Sequence, residues 1–368
     1  MSQNKSIYII AGEESGDVLG ERLMVSLHRL ESFSFYGIGG KAMQEQGLDS
    51  LFPMTDLSVM GIFEILPRIP KLLKRINQTV DDIVKIQPDI VITIDAPDFS
   101  KRVVKKAKKN CPNTKFIHYV APTVWAWREG RAKTMADLYD GLICLLPFEP
   151  PYFEKYGLKA DFCGHPIVET IDNAILERPD NHILILPGSR MGEIKRMAPV
   201  FADTFMRTKG MNPNLKAIIP ALPHLRDEIE EHFFGMDVTY IDPKMRFNAF
   251  KTAPFALATS GTVGLELAVA QCPHVIAYKM NPLTWHLLKF FVKIRMAHLV
   301  NIMEGRIIIP ECIQNECTVD NIMNSVLDYP NPNLSAVRDK LAGSNEKPPS
   351  QQAAEFITAF LSKDGNAI

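Results

Sequence analysis

At 368 residues the chain exceeds what one hydrophobic core comfortably holds and fits two domains of ordinary size. Apolar residues make up 46% and charged residues 23%, which excludes a disordered or fibrous chain. A formal net charge of -1 excludes a nucleic-acid binder that relies on a general positive field, so no nucleic-acid partner is expected.

Tyr8 to Ala11 reads as a short buried strand, Gly12 to Gly16 as a turn and Asp17 to Leu30 as an amphipathic helix, together one βα unit. A second unit runs through Phe35 to Ile38 and the pair Gly39-Gly40. The segment Val59 to Ile86 is apolar and basic at once: Met60, Ile62, Phe63, Leu66, Leu72 and Leu73 stand beside Arg68, Lys71, Lys74 and Arg75. Next come strand Ile90 to Ile94, the loop Asp95-Ala96-Pro97-Asp98, a basic helix from Phe99 to Lys109, and strands Phe116 to Val120 and Leu142 to Leu146. The alternation continues through Phe162-Cys163 and Gly164-His165-Pro166.

The polar stretch Glu177 to His182 reads as a linker, which puts one domain at 1–176 and a second at 177–345. Beyond it, Ile183 to Leu186 is long enough for a central parallel strand, and Pro187-Gly188 ends it abruptly. Ser189 and Arg190 fall in the turn, where the next helix aims its unpaired N–H groups and positive dipole end, an anion site to which Arg190 adds a forked cation. Strands follow near Ala217 to Ile219, Val238 to Ile241, Phe255 to Ala258 and Val275 to Tyr278. Ser260-Gly261-Thr262 opens the helix Val263 to Ala270 and repeats that turn, so two helix starts can hold one diphosphate without a divalent metal. Glu266, one turn further, is placed for two ribose hydroxyls or is an ordinary surface glutamate. Leu283 to Val300 interleaves Phe290, Phe291 and Val292 with Lys289, Lys293 and Arg295, and the segment 346–368 ends in a helix that packs back on the domains. The expectation is an α/β chain of two Rossmann-like, doubly wound parallel-sheet domains with an inter-domain cleft.

Cys111, Cys144, Cys163, Cys272, Cys312 and Cys317 form no CxxC pair and read as reduced packing residues of a cytosolic protein. The start MSQNKSIYIIAGEES holds no cleavable apolar segment, and no run nears the ~18 apolar residues of a membrane span. No GxGxxG follows the first strand, which argues against a dinucleotide dehydrogenase.

Asp95 and Asp98 flank a turn at a strand's carboxyl end. A carboxylate there either caps the helix that follows or takes a proton from an attacking hydroxyl. Glu13, Glu14 and Asp17 form a second acidic set suited to sugar hydroxyls. His118, Trp125, Trp127 and Arg128 end another strand and either stack on a sugar or pack in the core. The two apolar-basic segments are either buried helices with snorkelling lysines or patches on an anionic membrane surface.

Taken together, AGEESGD (Ala11 to Asp17), VMGIFE (Val59 to Glu64), DAPDF (Asp95 to Phe99), HYVAPTVWAWR (His118 to Arg128), LPFE (Leu146 to Glu149), LPGSRMGE (Leu186 to Glu193), SGTVGLE (Ser260 to Glu266) and Tyr278-Lys279-Met280 resemble the lipid-A-disaccharide synthase family. These are family 19 glycosyltransferases of two-Rossmann (GT-B) architecture, and the likeness spans nearly the whole chain. Glu14 stands where the family pattern has Thr, and Asn301 to Gln314 follows its pattern loosely.

The resemblance implies an inverting transfer of 2,3-diacylglucosamine from its UDP-linked form to the 6-hydroxyl of 2,3-diacylglucosamine 1-phosphate (lipid X), giving lipid A disaccharide 1-phosphate and UDP. It implies Asp98 as base. It implies Gly188, Ser189, Arg190, Ser260, Gly261, Thr262, Glu266, Tyr278, Met280, Asn301 and Gln314 around the nucleotide, in the second domain. Glu13, Ser15, Asp17, Asp95, His118, Trp127 and Arg128 fall on the acceptor or sugar side, in the first. Met60, Ile62, Phe63, Leu66, Leu72, Leu73, Phe290, Phe291 and Val292 form the acyl or membrane patch. The implied partners are the two lipid substrates and, peripherally, the cytoplasmic leaflet of the inner membrane, with no cofactor and no metal. Family members form dimers by exchanging C-terminal parts, which leaves a homodimer open. Another GT-B UDP-sugar enzyme, an epimerase or a soluble-acceptor transferase, would keep Arg190 and Glu266 but need neither patch. A non-catalytic nucleotide-sugar-binding membrane protein would be expected to lack Asp98.

Overall fold

The computed structural model describes residues 5–57, 62–172, 176–178, 181–281, 285, 296–343 and 346–361, with the side chains of 62–68 outside the description. The chain forms two compact units, Met1–Pro166 with Leu341–Ile368, and Ile167–Lys340.

The first unit runs β1 (Lys5–Ala11), α1 (Glu14–Leu30), β2 (Phe33–Ile38), α2 (Lys41–Glu45), β3 (Asp49–Ser50), α3 (Ile62–Ile86), β4 (Ile90–Ile94), α4 (Pro97–Ala107), β5 (Lys115–Tyr119), α5 (Arg131–Leu138), β6 (Gly141–Cys144), α6 (Pro151–Glu154) and β7 (Lys159–Phe162). Its seven strands lie in the order β3-β2-β1-β4-β5-β6-β7, all parallel. The central strands read as unbroken apolar runs because helices cover both faces. Tyr8 and Ile10 point into one core with Ile76, Ile83, Val91, Val103 and Phe116. Ile7 and Ile9 point into the other with Leu23, Leu27, Ile92, Ile117 and Ile357, as the two-residue strand period requires. The C-terminal helix Pro349–Thr358 lies against α1 on that second face, with Ser26 Oγ donating to Ser350 Oγ at 3.0 Å.

The second unit runs α7 (Ile167–Thr170), β8 (His182–Leu186), α8 (Met191–Met211), β9 (Lys216–Pro220), α9 (Arg226–His232), β10 (Val238–Ile241), α10 (Arg246–Thr252), β11 (Ala256–Ala258), α11 (Thr262–Val269) and β12 (His274–Tyr278). The helix Leu299–Glu304, β13 (Glu311–Ile313) and the helices Val319–Leu327 and Leu334–Ala342 follow. The six strands are parallel in the order β10-β9-β8-β11-β12-β13. Both units are therefore doubly wound parallel-sheet α/β domains.

The division between units falls between Pro166 and Ile167, not at the polar stretch 177–182. Arg178, within that stretch, gives its guanidinium to the carbonyls of Lys251 (3.0 Å), Gln271 (2.9 Å) and Ala270 (3.0 Å). Its charge satisfies helix-end carbonyls of the second unit, which polarity alone does not reveal. All six cysteines are free and buried. No helix among the described residues is long and apolar enough to cross a membrane.

Candidate functional site

In an open parallel sheet, ligands bind outside the carboxyl ends of the strands where the strand order reverses. In the first unit that point lies between β1 and β4. The turn after β1 carries Gly12 and Glu13, and the turn after β4 carries Asp95 and Ala96. The two touch: a Cβ on Gly12 would lie 2.8 Å from that of Ala96, so only glycine fits there. Asp95 and Ala96 are consecutive non-glycine residues in the left-handed region, at φ 51° and 45°, strain that persists only where surrounding structure enforces it. Asp95 Oδ1 accepts from the Ala96 N–H at 2.8 Å, so its carboxylate is turned onto its own loop. Asp98 is different. It sits in the first turn of α4, where the helix dipole favours an anion, with its side chain 89% exposed and Lys101 at 3.5 Å.

Asp98 and Glu13 line a cavity of about 500 Å³ with Ala96, Pro97 and Arg102. Its remaining wall is apolar: Leu57, Ile69, Leu72, Leu73, Ile76 and Phe99. Carboxylates, one arginine and a hydrocarbon wall suit an amphiphile that carries hydroxyls.

In the second unit the order reverses between β8 and β11. Gly188, at φ 124°, leads out of β8, and a Cβ there would meet Glu193 at 2.6 Å. The Ser189 N–H donates to Glu193 Oε2 at 3.1 Å, and Arg190 Nη1 lies 3.5 Å from Glu193 Oε1. The protein's own carboxylate thus takes the Ser189 N–H and faces Arg190 just before α8, and the Arg190 side chain is otherwise 81% exposed. Thr259, Ser260 and Gly261 follow β11, and Thr262 begins α11. Ser260 Oγ reaches the Ala297 carbonyl at 3.4 Å. Glu266 is half-buried beside Arg246, with both contacts at 3.4 Å, loose enough for hydroxyls to compete. Tyr278 and Met280, at the end of β12, are half-buried. Gln314, at φ 56° just after β13, holds its Nε2 buried with no hydrogen-bond partner among the described residues.

Several expected site residues hold the fold instead. His118 is buried: its Nδ1 shares a 2.7 Å hydrogen bond with Thr93 Oγ1, its ring packs on Tyr139, and burial drives its pKa down to about 3. It cannot stack on a sugar. Asp17 is buried and caps α2, accepting from Gly40 N (2.7 Å), Ala42 N (2.9 Å) and Met43 N (3.2 Å). Asn301 is fully buried and saturated. Its amide nitrogen donates to Ile309 O and Glu311 Oε1 at 2.7 Å, and its oxygen accepts from Ile308 N and Ile309 N at 2.9 Å. It shapes the loop before β13 rather than lining a pocket.

Trp125 is core, packed edge-on against Phe148. Its Nε1 donates to the buried Glu149, which also accepts from Leu145 N and Leu146 N at 3.0 Å. Burial pushes the Glu149 carboxyl up to about 7. Trp127 is partly exposed, with the guanidinium of Arg128 4.3 Å and that of Arg131 5.3 Å from its ring centre. Glu13 and Ser15 are exposed at the start of α1. On α3, Leu72 is half-buried, while Ile69 and Leu73 are 39% and 43% exposed. Two of its cations are already committed, since Asp56 binds Lys71 and Arg75. Met60, Phe290, Phe291 and Val292 lie outside the described residues, as do the side chains of Ile62, Phe63 and Leu66. Sequence reading missed Arg102, Glu193 and Arg246. Only the four-residue spacings Asp98–Arg102 and Ser189–Glu193 hinted at the first two.

Among solved structures, the chain is similar to a UDP-GlcNAc 2-epimerase from Neisseria meningitidis bound to UDP-GlcNAc. That match has a TM-score of 0.63 at 12% identity and covers 97% of this chain and 99% of that one. It is also similar to the glycotransferase of kitacinnamycin, with a TM-score of 0.63 at 14% identity, covering 98% and 100%. These are likenesses of fold and mark the two-domain GT-B class. In sequence, the chain is 41% identical to the lipid-A-disaccharide synthase of Rhodospirillum centenum, covering 97% of this chain and 95% of that protein. It is also 41% identical to the one from Ruegeria pomeroyi, covering 95% and 94%. The family model described as lipid-A-disaccharide synthetase matches residues 7–347, and the chain belongs to that family.

Proposed function

We propose that the chain is an inverting glycosyltransferase that moves 2,3-diacylglucosamine from its UDP-linked form to the 6-hydroxyl of 2,3-diacylglucosamine 1-phosphate, releasing UDP. The observation that carries the reading, beside family membership, is the amphiphilic cavity of the first unit with the largely exposed Asp98 carboxylate in its wall. Asp98 accepts the proton of the 6-hydroxyl. The hydroxyl oxygen forms the new bond to the anomeric carbon as the bond to the diphosphate oxygen breaks, and UDP leaves with the electron pair. A single displacement inverts the centre and needs no enzyme nucleophile. The hydrogen bond of Asp95 to its own loop supports Asp98 over Asp95 as the base.

In the second unit, Arg190 and the N–H groups at the starts of α8 and α11 stabilise the charge that develops on the leaving diphosphate, which displaces Glu193 from Ser189. Glu266 takes the ribose hydroxyls, and the unpartnered amide of Gln314 supplies a donor near Tyr278. Leu57, Ile69, Leu72 and Phe99 receive acyl chain, and exposed Ile69 and Leu73 support peripheral docking on the membrane that supplies these lipids.

The test is an assay of purified protein with both lipid substrates in detergent and EDTA, following UDP and disaccharide together. Disaccharide matched to UDP is the expected result. UDP without disaccharide, or no reaction while UDP still binds, overturns the acceptor assignment.

A further inference from the structure

The cavity beside Asp98 contains one described cation, Arg102, and the charge is uncommitted. Arg102 follows Asp98 by four residues on α4, so both side chains leave the same helix face about 6 Å apart along its axis. Arg102 is exposed and makes no hydrogen bond, ion pair or ring contact among the described residues, although Glu13 and Asp98 line the same cavity. Lys101, one residue earlier, is the partner of Asp98.

A planar guanidinium left unpaired beside two carboxylates is matched by an anion that arrives with the ligand. The apolar wall asks the same ligand for hydrocarbon, and Asp98 asks it for a hydroxyl. The geometry points to Arg102 as the specificity-determining residue for the acceptor. It grips a phosphate monoester at the far side of the acceptor sugar while the reacting hydroxyl lies on Asp98, one helical turn away. This assignment rests on the transfer reading above. Arg102 is a binding and positioning group and takes no part in proton transfer.

The experiment is steady-state kinetics with one donor, UDP-2,3-diacylglucosamine, and two acceptors, 2,3-diacylglucosamine 1-phosphate and its 1-hydroxyl counterpart. The proteins compared are the unaltered chain, Arg102→Met and Arg102→Lys. Arg102→Met is expected to raise KM for the phosphorylated acceptor about 10- to 100-fold, the size of a lost charge-assisted contact. Donor KM and the kinetics of the 1-hydroxyl acceptor should stay within about 2-fold, as expected when only acceptor binding is lost. Arg102→Lys should recover part of the loss, since it keeps the charge without the fork. Equal losses with both acceptors, or no change with either, overturn the assignment at unchanged melting temperature. If the unaltered chain makes disaccharide from neither acceptor, the transfer reading itself fails and the assignment with it.

Discussion

The two sheets share one winding around their switch points, β3-β2-β1-β4-β5-β6 in the first unit and β10-β9-β8-β11-β12-β13 in the second, yet the chemistry at those points is opposite. At β8 and β11 the helix starts are open to anions: Ser189 offers its N–H, Arg190 its guanidinium, and a carboxylate from the chain itself, Glu193, already sits there. At β1 and β4 the helix starts bear acids. Glu13, Glu14 and Ser15 open α1, and α4 begins with Pro97, which has no N–H, and Asp98. The turns of the second unit present donors and a cation, and those of the first present carboxylates. The same winding thus carries different turn chemistry, and chemistry at a site is set by its residues rather than by the fold.

The largest effect that sharpens the contrast is on the acid side. Asp98→Asn should cut disaccharide formation about 100- to 10,000-fold, the usual range for a lost general base, while Asp95→Asn should act mainly through the strained loop and lower the melting temperature. Turnover near normal in Asp98→Asn would move the base elsewhere.

A second prediction concerns what the units share, a neutral buried imidazole in each core. His118 in the first unit is driven down to about 3 and His274 in the second to about 4, both by burial. The His274 ring is tied to Cys272 O at 2.7 Å and to His298 Nε2 at 2.8 Å, and His298 Nδ1 accepts from Val300 N. A depressed folded pKa means the unfolded chain takes up protons first. Stability is therefore complete above pH 6.5 and falls toward pH 4, by on the order of 3 kcal/mol for each such imidazole. Urea midpoints measured across that range should decline steadily on acidification, and a flat profile would contradict the buried neutral imidazoles.

On the donor side, Arg190→Met should weaken UDP binding about 10- to 100-fold without lowering the melting temperature, since its side chain is largely exposed. Calorimetry that finds UDP affinity unchanged would remove Arg190 from the anion site. The smallest expected effect is at the exposed apolar residues of α3. The double change Ile69→Ser and Leu73→Ser should reduce partitioning onto anionic vesicles roughly 10-fold with stability intact. Unaltered partitioning with early unfolding would make both residues core.

Much of this contrast is legible in the chain because turn chemistry and strand runs are local. Pro187-Gly188-Ser189-Arg190 and Asp95-Ala96-Pro97-Asp98 each follow a short apolar run, which is enough to place them at strand ends. The features that are not legible depend on partners far along the chain. His118 ends a strand buried on both faces, where alternation carries no inside or outside signal, and Thr93 and Tyr139, which hold it, lie on β4 and just after α5. Asp17 looks like one of three clustered acids until α2 folds over it. Asn301 resembles a pocket residue until Ile308, Ile309 and Glu311 claim all of its hydrogen bonds. Arg178 looks like part of a linker until helix-end carbonyls take it.

The most direct test of this division of labour is a calorimetric titration of UDP into the Asp98→Asn protein. Affinity equal to that of the unaltered chain, in a protein that no longer makes disaccharide, is the predicted result. It would assign proton transfer to the first unit and nucleotide binding to the second. A weakening of UDP binding that matches the loss of turnover would contradict that division and place Asp98 among the groups that hold the donor.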